Sequence, residues 1–222
     1  MQNFDTPAAI VTLLAVPAGR IRIVAAERTD TTVEIVPADA SKSRDVKTAE
    51  QTEVTYADGV LRIEVPKPKN GSAFGNTGSI EVTVQLPVGS RVEAEAAATE
   101  LSTVGRLGDV AFQGAYHQIK IDEAASLTLT AADGDIEVGR LTGSAEITTA
   151  RGDIRIAEAA GGTLALTTQK GDITVGAAAG VSAVLDAGTA YGRVANSLKN
   201  DGTPGLSIRA TTAYGDIAAR SL

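Results

Sequence analysis

Thr149-Ala150-Arg151-Gly152-Asp153-Ile154-Arg155-Ile156 decides the fold, because its order of threonine, glycine, aspartate and alternating aliphatics returns throughout the C-terminal half. The other copies are Asp133-Gly134-Asp135-Ile136-Glu137-Val138, Lys170-Gly171-Asp172-Ile173-Thr174-Val175, Tyr191-Gly192-Arg193-Val194 and Tyr214-Gly215-Asp216-Ile217. Weaker forms stand at Tyr116-His117-Gln118-Ile119-Lys120-Ile121 and Leu101-Ser102-Thr103-Val104. Self-similarity at such a spacing identifies a repeat architecture before any single element is assigned.

The glycine column is occupied by Ser102, His117, Gly134, Gly152, Gly171, Gly192 and Gly215, giving steps of 15, 17, 18, 19, 21 and 23 residues. At a rise of about 3.3 Å per residue such a unit holds two or three short strands and tight corners. It is too short for a strand followed by a crossover helix of ordinary length. The expectation is an all-β, single-chain β-solenoid (β-helix) from about Val92 to Ala218, wound right-handed, with rungs stacking about 4.8 Å apart. Residues two apart on a strand face the same way. Ile136, Ile154, Ile173, Val194 and Ile217 therefore form one buried column, two residues after the glycine position. Leu127/Leu129, Ala145/Ile147 and Leu164/Leu166 line another wall, and Ala159, Ala160, Ala178 and Ala179 suit the tightest side.

Composition agrees with an aliphatic, alanine-rich core: 43% of the 222 residues are hydrophobic and only 3% aromatic. The chain has no cysteine, which excludes a disulfide framework, a thiolate zinc site and a thiol nucleophile. A net charge of −7 argues against nucleic acid, whose phosphates require clustered Lys and Arg. The apolar run Ile10 to Val16 is too short for a secretory signal and is preceded by Asp5 instead of basic residues. No stretch approaches the ~20 apolar residues of a membrane helix. The expected location is the cytoplasm, without membrane insertion.

Residues 1–91 lack the repeat but alternate, as in Arg20-Ile21-Arg22-Ile23, Thr32-Val33-Glu34-Ile35, Leu61-Arg62-Ile63-Glu64-Val65 and Ile80-Glu81-Val82-Thr83-Val84. Such alternation marks half-buried strands, and Asp58-Gly59 between two of them marks a hairpin. This part is expected to be largely antiparallel and to cap the open core at one end of the 92–222 solenoid region, the two forming one continuous unit. Pro37–Glu50 and Pro66–Gly78 read as exposed loops, the first able to form a helical turn and the second the most prone to disorder.

Several residues could carry chemistry. The column after the glycine reads Gln118, Asp135, Asp153, Asp172, Arg193 and Asp216, so three carboxylates stack on neighbouring rungs. Hard cations take carboxylate oxygens. The competing reading, preferred here, is a corner aspartate accepting backbone N–H bonds, with Arg193 between Asp172 and Asp216 as counter-ion. No metal is assigned. Arg151-Gly152-Asp153 matches an integrin-binding tripeptide, but the sister copies replace its arginine, so it reads as a corner of the repeat. In that corner column Tyr191 and Tyr214 can stack, and Lys170 can lie over Tyr191. Thr148-Thr149, Thr167-Thr168 and Thr211-Thr212 read as strand ends and not as an ice-binding array. His117, the single histidine, has no second histidine or cysteine with which to build a metal site. No nucleophile-elbow, phosphate-loop or dinucleotide fingerprint occurs. An acid pair for glycoside cleavage has 27 acidic residues to draw on, none of them singled out. No catalytic residue and no cofactor is assigned.

The G-D-I-x-V copies, the alternating strands before them and the junction Leu86-Pro87-Val88-Gly89-Ser90 together resemble the bacterial β-strand-repeat "putative adhesin" family, a domain of unknown function. The resemblance covers nearly the whole chain. It implies a β-helical repeat domain, membrane-tethered and linked to envelope stress in some members and free in the cytoplasm in others. It carries over no catalytic residues.

Two function classes follow: a non-catalytic scaffold or protein-interaction module, which is preferred, and a polysaccharide-binding or polysaccharide-cleaving protein. The last copy, Tyr214-Gly215-Asp216-Ile217, is followed by five residues only. The expectation is an open edge over residues 205–222, with Tyr191, Tyr214 and Ile217 at a homodimer or partner interface. The alternative is that the Asn196–Gly205 loop folds over this end.

Overall fold

The computed structural model of the chain describes residues 1–66, 77–116 and 118–222. The expectations for His117 and for most of the Pro66–Gly78 loop lie outside the described residues.

The repeat winds into a solenoid-like all-β stack whose strands pair in parallel along two walls. In spatial order the first wall holds β6 (Val60–Glu64), β2 (Val11–Ala15), β8 (Arg91–Glu95), β10 (Arg106–Tyr116) and the second half of β11 (Ile119–Asp133). It continues through β13 (Ala145–Arg151), β15 (Gly162–Lys170), β19 (Leu206–Tyr214) and β17 (Ala183–Tyr191). The second wall begins with β7 (Ile80–Pro87), β3 (Ala18–Ala26), β9 (Ala98–Val104) and the start of β11. There follow β12 (Ile136–Leu141), β14 (Ile154–Ala159), β16 (Ile173–Ala177), β20 (Ile217–Ser221) and β18 (Val194–Ser197). A short third side is made where Arg106-Leu107, Glu123-Ala124, Arg140-Leu141 and Glu158-Ala159 pair in register.

Alternation places the aliphatic columns inside. Leu127, Ala145, Leu164, Ile208 and Leu185 stack in register, as do Ile136, Ile154, Ile173, Ile217 and Val194. Ile136, Ile154, Ile173 and Ile217 are buried as expected. Val194 is not: it is 47% exposed, because its rung is the last one and nothing stacks above it. Ala159 and Ala178 are buried on the tight side, whereas Ala179 is exposed.

Chain order and spatial order part company at both ends. After β15 and β16 the chain skips one rung position, lays down β17 and β18 as the outermost rung, and returns to insert β19 and β20 between. The C-terminal copy is therefore an interior rung paired on both sides. This corrects the expected open edge over residues 205–222: Ile208 and Ile217 are each 1% exposed, and the open edge belongs to Ala183–Ser197. At the other end β2 and β3 are likewise inserted, between the rung of β6 and β7 and that of β8 and β9.

The same pairings correct the expectation of a largely antiparallel first part. Parallel stacking begins well before Val92, and among the described residues antiparallel pairing is confined to β1 (Gln2–Asp5) with β4 (Asp30–Pro37), β4 with β7, and β5 (Glu53–Ala57) with β6. The β5–β6 hairpin turns on Asp58 and Gly59, at φ 51° and 77°, the two positive values that a two-residue hairpin of type I′ requires. The Pro37–Glu50 segment contributes α1 (Ser43–Gln51), tied down by Asp45 Oδ1 accepting from Ser79 N–H at 3.0 Å and Thr48 Oγ1 from Gly78 N–H at 2.9 Å. Among the described residues no helix is long and apolar enough to cross a membrane.

Candidate functional site

The glycine corner is where the repeat concentrates its signature residues. Gly134, Gly152, Gly171 and Gly215 have φ between 129° and 154°, a region L side chains rarely adopt. At Gly152 a Cβ would also overlap the carbonyl of Gly134 one rung below, so backbone conformation and close stacking both demand glycine there. Each of these corners donates its glycine N–H to the residue before the glycine in the next rung outward: Gly134 to Arg151, Gly152 to Lys170 and Gly171 to Tyr214, all at 2.9 Å, and Gly215 to Tyr191 at 3.0 Å.

The aspartates complete the ladder in the opposite sense. Asp135 Oδ1 accepts from Asp153 N–H at 2.9 Å, Asp153 from Asp172 at 2.8 Å, Asp172 from Asp216 at 2.7 Å and Asp216 from Arg193 at 2.8 Å. Each carboxylate thus holds the next rung outward and not its own turn. Arg193 does not separate Asp172 from Asp216, as sequence order suggests; those two are direct neighbours, and Arg193 ends the column. The substitution has a physical reason. An aspartate at this position serves the rung beyond it, and the outermost rung has none.

Threonines brace the same corner from inside. Thr168 Oγ1 donates to Gly152 O at 3.1 Å, Thr212 to Gly171 O at 3.0 Å and Thr189 to Gly215 O at 3.0 Å. Among the described residues no group of three or more His, Cys, Asp or Glu side chains is placed to hold a metal ion.

Outside the corner, charges pair from rung to rung. Arg151 meets Asp133 at 2.8 Å, Lys120 meets Glu137 at 2.9 Å, and Arg20 bridges Glu81 at 3.0 Å and Glu100 at 3.3 Å. Tyr191 and Tyr214 stack with ring centroids 4.9 Å apart and planes 3° from parallel. Lys170 is the register neighbour of Tyr214 and not of Tyr191, which corrects the expected cation–π partner.

Exposed apolar and aromatic side chains occur singly at Met1, Val36, Val104 and Leu222 and as a group at the outermost rung. Val184 is 39% exposed, Tyr191 68% and Val194 47%, with Tyr214 beside them at 56%. The glycine and column N–H groups that the four inner glycine corners aim at their outer neighbours correspond here to Gly192 N–H and Val194 N–H, which have no rung beyond them among the described residues. The loop after β18 closes only a corner of this end, through Ala183 N–H to Lys199 O at 2.9 Å and Asp201 N–H to Ser182 Oγ at 3.1 Å. The Asp201 carboxyl is held below the usual carboxylate range by hydrogen bonding to the Ser182 hydroxyl and then to Thr203. Of the residues expected at an interaction edge, Tyr191 and Tyr214 are on the surface, and Ile217 is in the core.

Sequence reasoning did not single out a groove of about 470 Å³ across the outer face of the first wall, lined by Leu13, Arg62, Glu64, Glu93, Glu95 and Gln113 among others. Glu93 is engaged there by Arg91 at 2.8 Å. Its residues come from β2, β6, β8, β10 and β11, and β2 and β6 join the others only through the out-of-order stacking. The Leu86–Ser90 junction also acquires a role: the buried Ser90 hydroxyl donates to Pro87 O at 2.7 Å and accepts from Ile10 N–H at 3.1 Å, bolting the turn to the inserted rung.

A family model described as Toastrack DUF4097 matches residues 14–221. Among solved structures, a "putative adhesin" from Bacteroides fragilis NCTC 9343 is 16% identical, aligns over 98% of this chain and 95% of its own, and has a TM-score of 0.57. A "putative cell adhesion protein" from Clostridium sporogenes ATCC 15579 is 15% identical over 100% of this chain and 98% of its own, with a TM-score of 0.40. A "putative lipid binding protein" from Parabacteroides distasonis ATCC 8503 is 10% identical over 98% and 95%, with a TM-score of 0.41. At these identities the first likeness bears on the fold alone. No curated protein matches the sequence.

Proposed function

The chain belongs to the Toastrack DUF4097 family, and from that premise we propose that it is a non-catalytic β-solenoid scaffold that engages a protein partner through its outermost rung. In this reading residues 1–91 and 92–222 act as one right-handed unit, the antiparallel strands finishing one end and the rung of β17 and β18 serving the other. The role is envelope- or stress-related, and the location cytoplasmic.

The observation that carries the reading is the grouping of exposed apolar side chains beside an unpaired rung. Along the walls, charged and polar groups are spent on neighbouring rungs, as in the aspartate ladder and the Lys120–Glu137 and Arg151–Asp133 pairs. At the outermost rung, Val184, Tyr191 and Val194 are exposed beside unpaired strand edges. Exposed edges of this kind template the addition of another strand.

One observation favours the second reading, a polysaccharide-binding or polysaccharide-cleaving protein: the stacked Tyr191–Tyr214 pair offers a flat aromatic face, and Glu64 and Glu95 line the groove on the first wall. One experiment separates the two. Host extract is passed over the immobilised intact chain and over Tyr191→Ser/Val194→Ser, with oligosaccharides assayed in parallel for tyrosine fluorescence changes and reducing-end release. A protein retained by the wild type and lost with the double variant supports the scaffold; saturable sugar binding or cleavage overturns it.

A further inference from the structure

We propose that the occupant of the outermost rung is a second copy of this chain, docked end to end about a two-fold axis with β17 antiparallel to β17; this rests on the interaction reading above and names its partner. The first argument is shape. β17 is nine residues long and pairs on one side only, with β19, while β18 pairs on one side only, with β20. The loop after β18 covers the start of β17, where Ala183 N–H is bonded to Lys199 O; the rest of the rung is open, with half-buried Leu185 and Ala187 and exposed Val194 ending three apolar columns. A second copy presents a rung of the same outline, and isologous contact is self-complementary by symmetry.

The second argument is register. Greatest overlap of Ala183–Tyr191 with itself centres on Ala187. Antiparallel pairing about a central residue sets residues of like parity opposite one another, so the outward N–H and C=O groups of Leu185, Ala187 and Thr189 meet their counterparts, while Ala183 N–H stays with Lys199 O. Asp186, the only charged residue in β17, then faces Gly188 and not its own copy.

The third is charge. The chain as a whole carries −7, which opposes self-association, but residues 183–199 hold one acid, Asp186, against Arg193 and Lys199. Asp186 is moreover already paired with Arg209 of the rung beneath, at 3.2 Å. This is the face through which two copies approach with least repulsion. Beyond the loop over Ala183 it lacks the usual protections of an edge strand: β17 has no lysine, no proline and no register shift. The opposite end differs, its edges being the short antiparallel strands β1 and β5 of four and five residues. A head-to-tail contact would set unlike ends together, so the assembly closes at two instead of growing into a filament.

Sedimentation equilibrium of the intact chain over a 1,000-fold range of concentration, roughly, tests this, alongside Leu185→Lys/Val194→Lys. Both replaced residues are at least partly solvent-exposed in the single chain and would be buried at the junction, and an inward lysine is the natural way to block an edge. The expected result is a wild type that approaches twice 22.6 kDa as concentration rises, and a variant that stays at 22.6 kDa with the wild-type circular dichroism spectrum. If the variant is misfolded, Asp186→Lys/Val184→Lys, both on the outer face of β17, replaces it. A wild type that remains monomeric throughout overturns the second copy as occupant. In that case the extract experiment decides the broader reading: retention of a host protein by the wild type alone leaves it standing, and no retention removes both.

Discussion

The two ends of the stack solve one problem differently. Each must stop a column of apolar side chains and a row of unpaired backbone groups, and each does so with the chain's terminal rung tucked one position in. At the N-terminal end the outermost rung is then finished: β4 and β5 pair with it antiparallel, β1 adds a further strand, and α1 is bolted to the backbone before β7. At the C-terminal end only one corner is covered, by the loop after β18. The comparison separates what the repeat requires from what only an end can reveal. Glycine, threonine and aliphatic residues are needed wherever a rung has neighbours on both sides, and the aspartate only where a rung lies beyond it.

The largest expected effect lies in the interior. Gly152→Val forces a β-branched residue to φ 129° and drives its Cβ into Gly134 O, so it should cost about 3–5 kcal/mol in denaturant unfolding, combining strain with overpacking. Equal cost for the same change at Gly192, whose Cβ would likewise overlap Gly215 O but whose φ is not positive, would erase the distinction between interior and end.

Next comes the isoleucine column. Ile217→Ala should cost about 2–4 kcal/mol, as for other buried aliphatic truncations, and Val194→Ala no more than about 1 kcal/mol because half of that side chain is already in water. Sequence order alone predicts the reverse, with residue 217 at the edge.

A smaller effect of opposite sign is expected near the other end. Thr12 is fully buried in the inserted N-terminal rung between Leu61 and Val92, and its hydroxyl has no hydrogen-bond partner. Thr12→Val should stabilise the chain by about 1 kcal/mol, since a buried unsatisfied hydroxyl carries a desolvation cost of that order. Thermal unfolding that shows a loss would mean that the hydroxyl is satisfied in solution.

The smallest is a pH effect at the C-terminal end. The folded Asp201 carboxyl titrates below its unfolded value, so its contribution is present above the unfolded pKa of about 3.9 and is lost as pH falls through the folded value. Asp201→Asn should therefore narrow the stability difference between neutral and acid pH. An unchanged acid-range profile would show that the loop's bonds to Ser182 do not depend on the charge.

Much of this was legible in the repeat. Period, all-β class, the inward columns and the glycine corner follow from spacing and alternation, because each inner rung meets the same neighbours and so repeats the same residues. The Asp-Gly hairpin was legible for a local reason, since only that turn chemistry meets two positive φ values. What was not legible is the order in which rungs stack. Residues of Tyr191-Gly192-Arg193-Val194 and of Tyr214-Gly215-Asp216-Ile217 fit either position against β15 and β16, and periodicity is blind to an exchange of equivalent units. Arg193 was the available signal: of the five strong copies it alone lacks the aspartate, and its rung is the one with nothing beyond it. The groove and the parallel N-terminal rungs were hidden for the same reason, being made by strands far apart in sequence.

The exchange of the last two rungs is the central claim, and the absence of cysteine makes it directly measurable. Thr174, Ala218 and Ala195 stand in register on three successive rungs of the second wall, in that order. Adjacent rungs are about 4.8 Å apart, within the Cα separation a disulfide spans, whereas alternate rungs are beyond its limit of about 7 Å. Thr174→Cys/Ala218→Cys is predicted to form an intramolecular disulfide under mild oxidation, and Thr174→Cys/Ala195→Cys to remain reduced. A disulfide in the second variant and none in the first would place β18 against β16 and contradict the account.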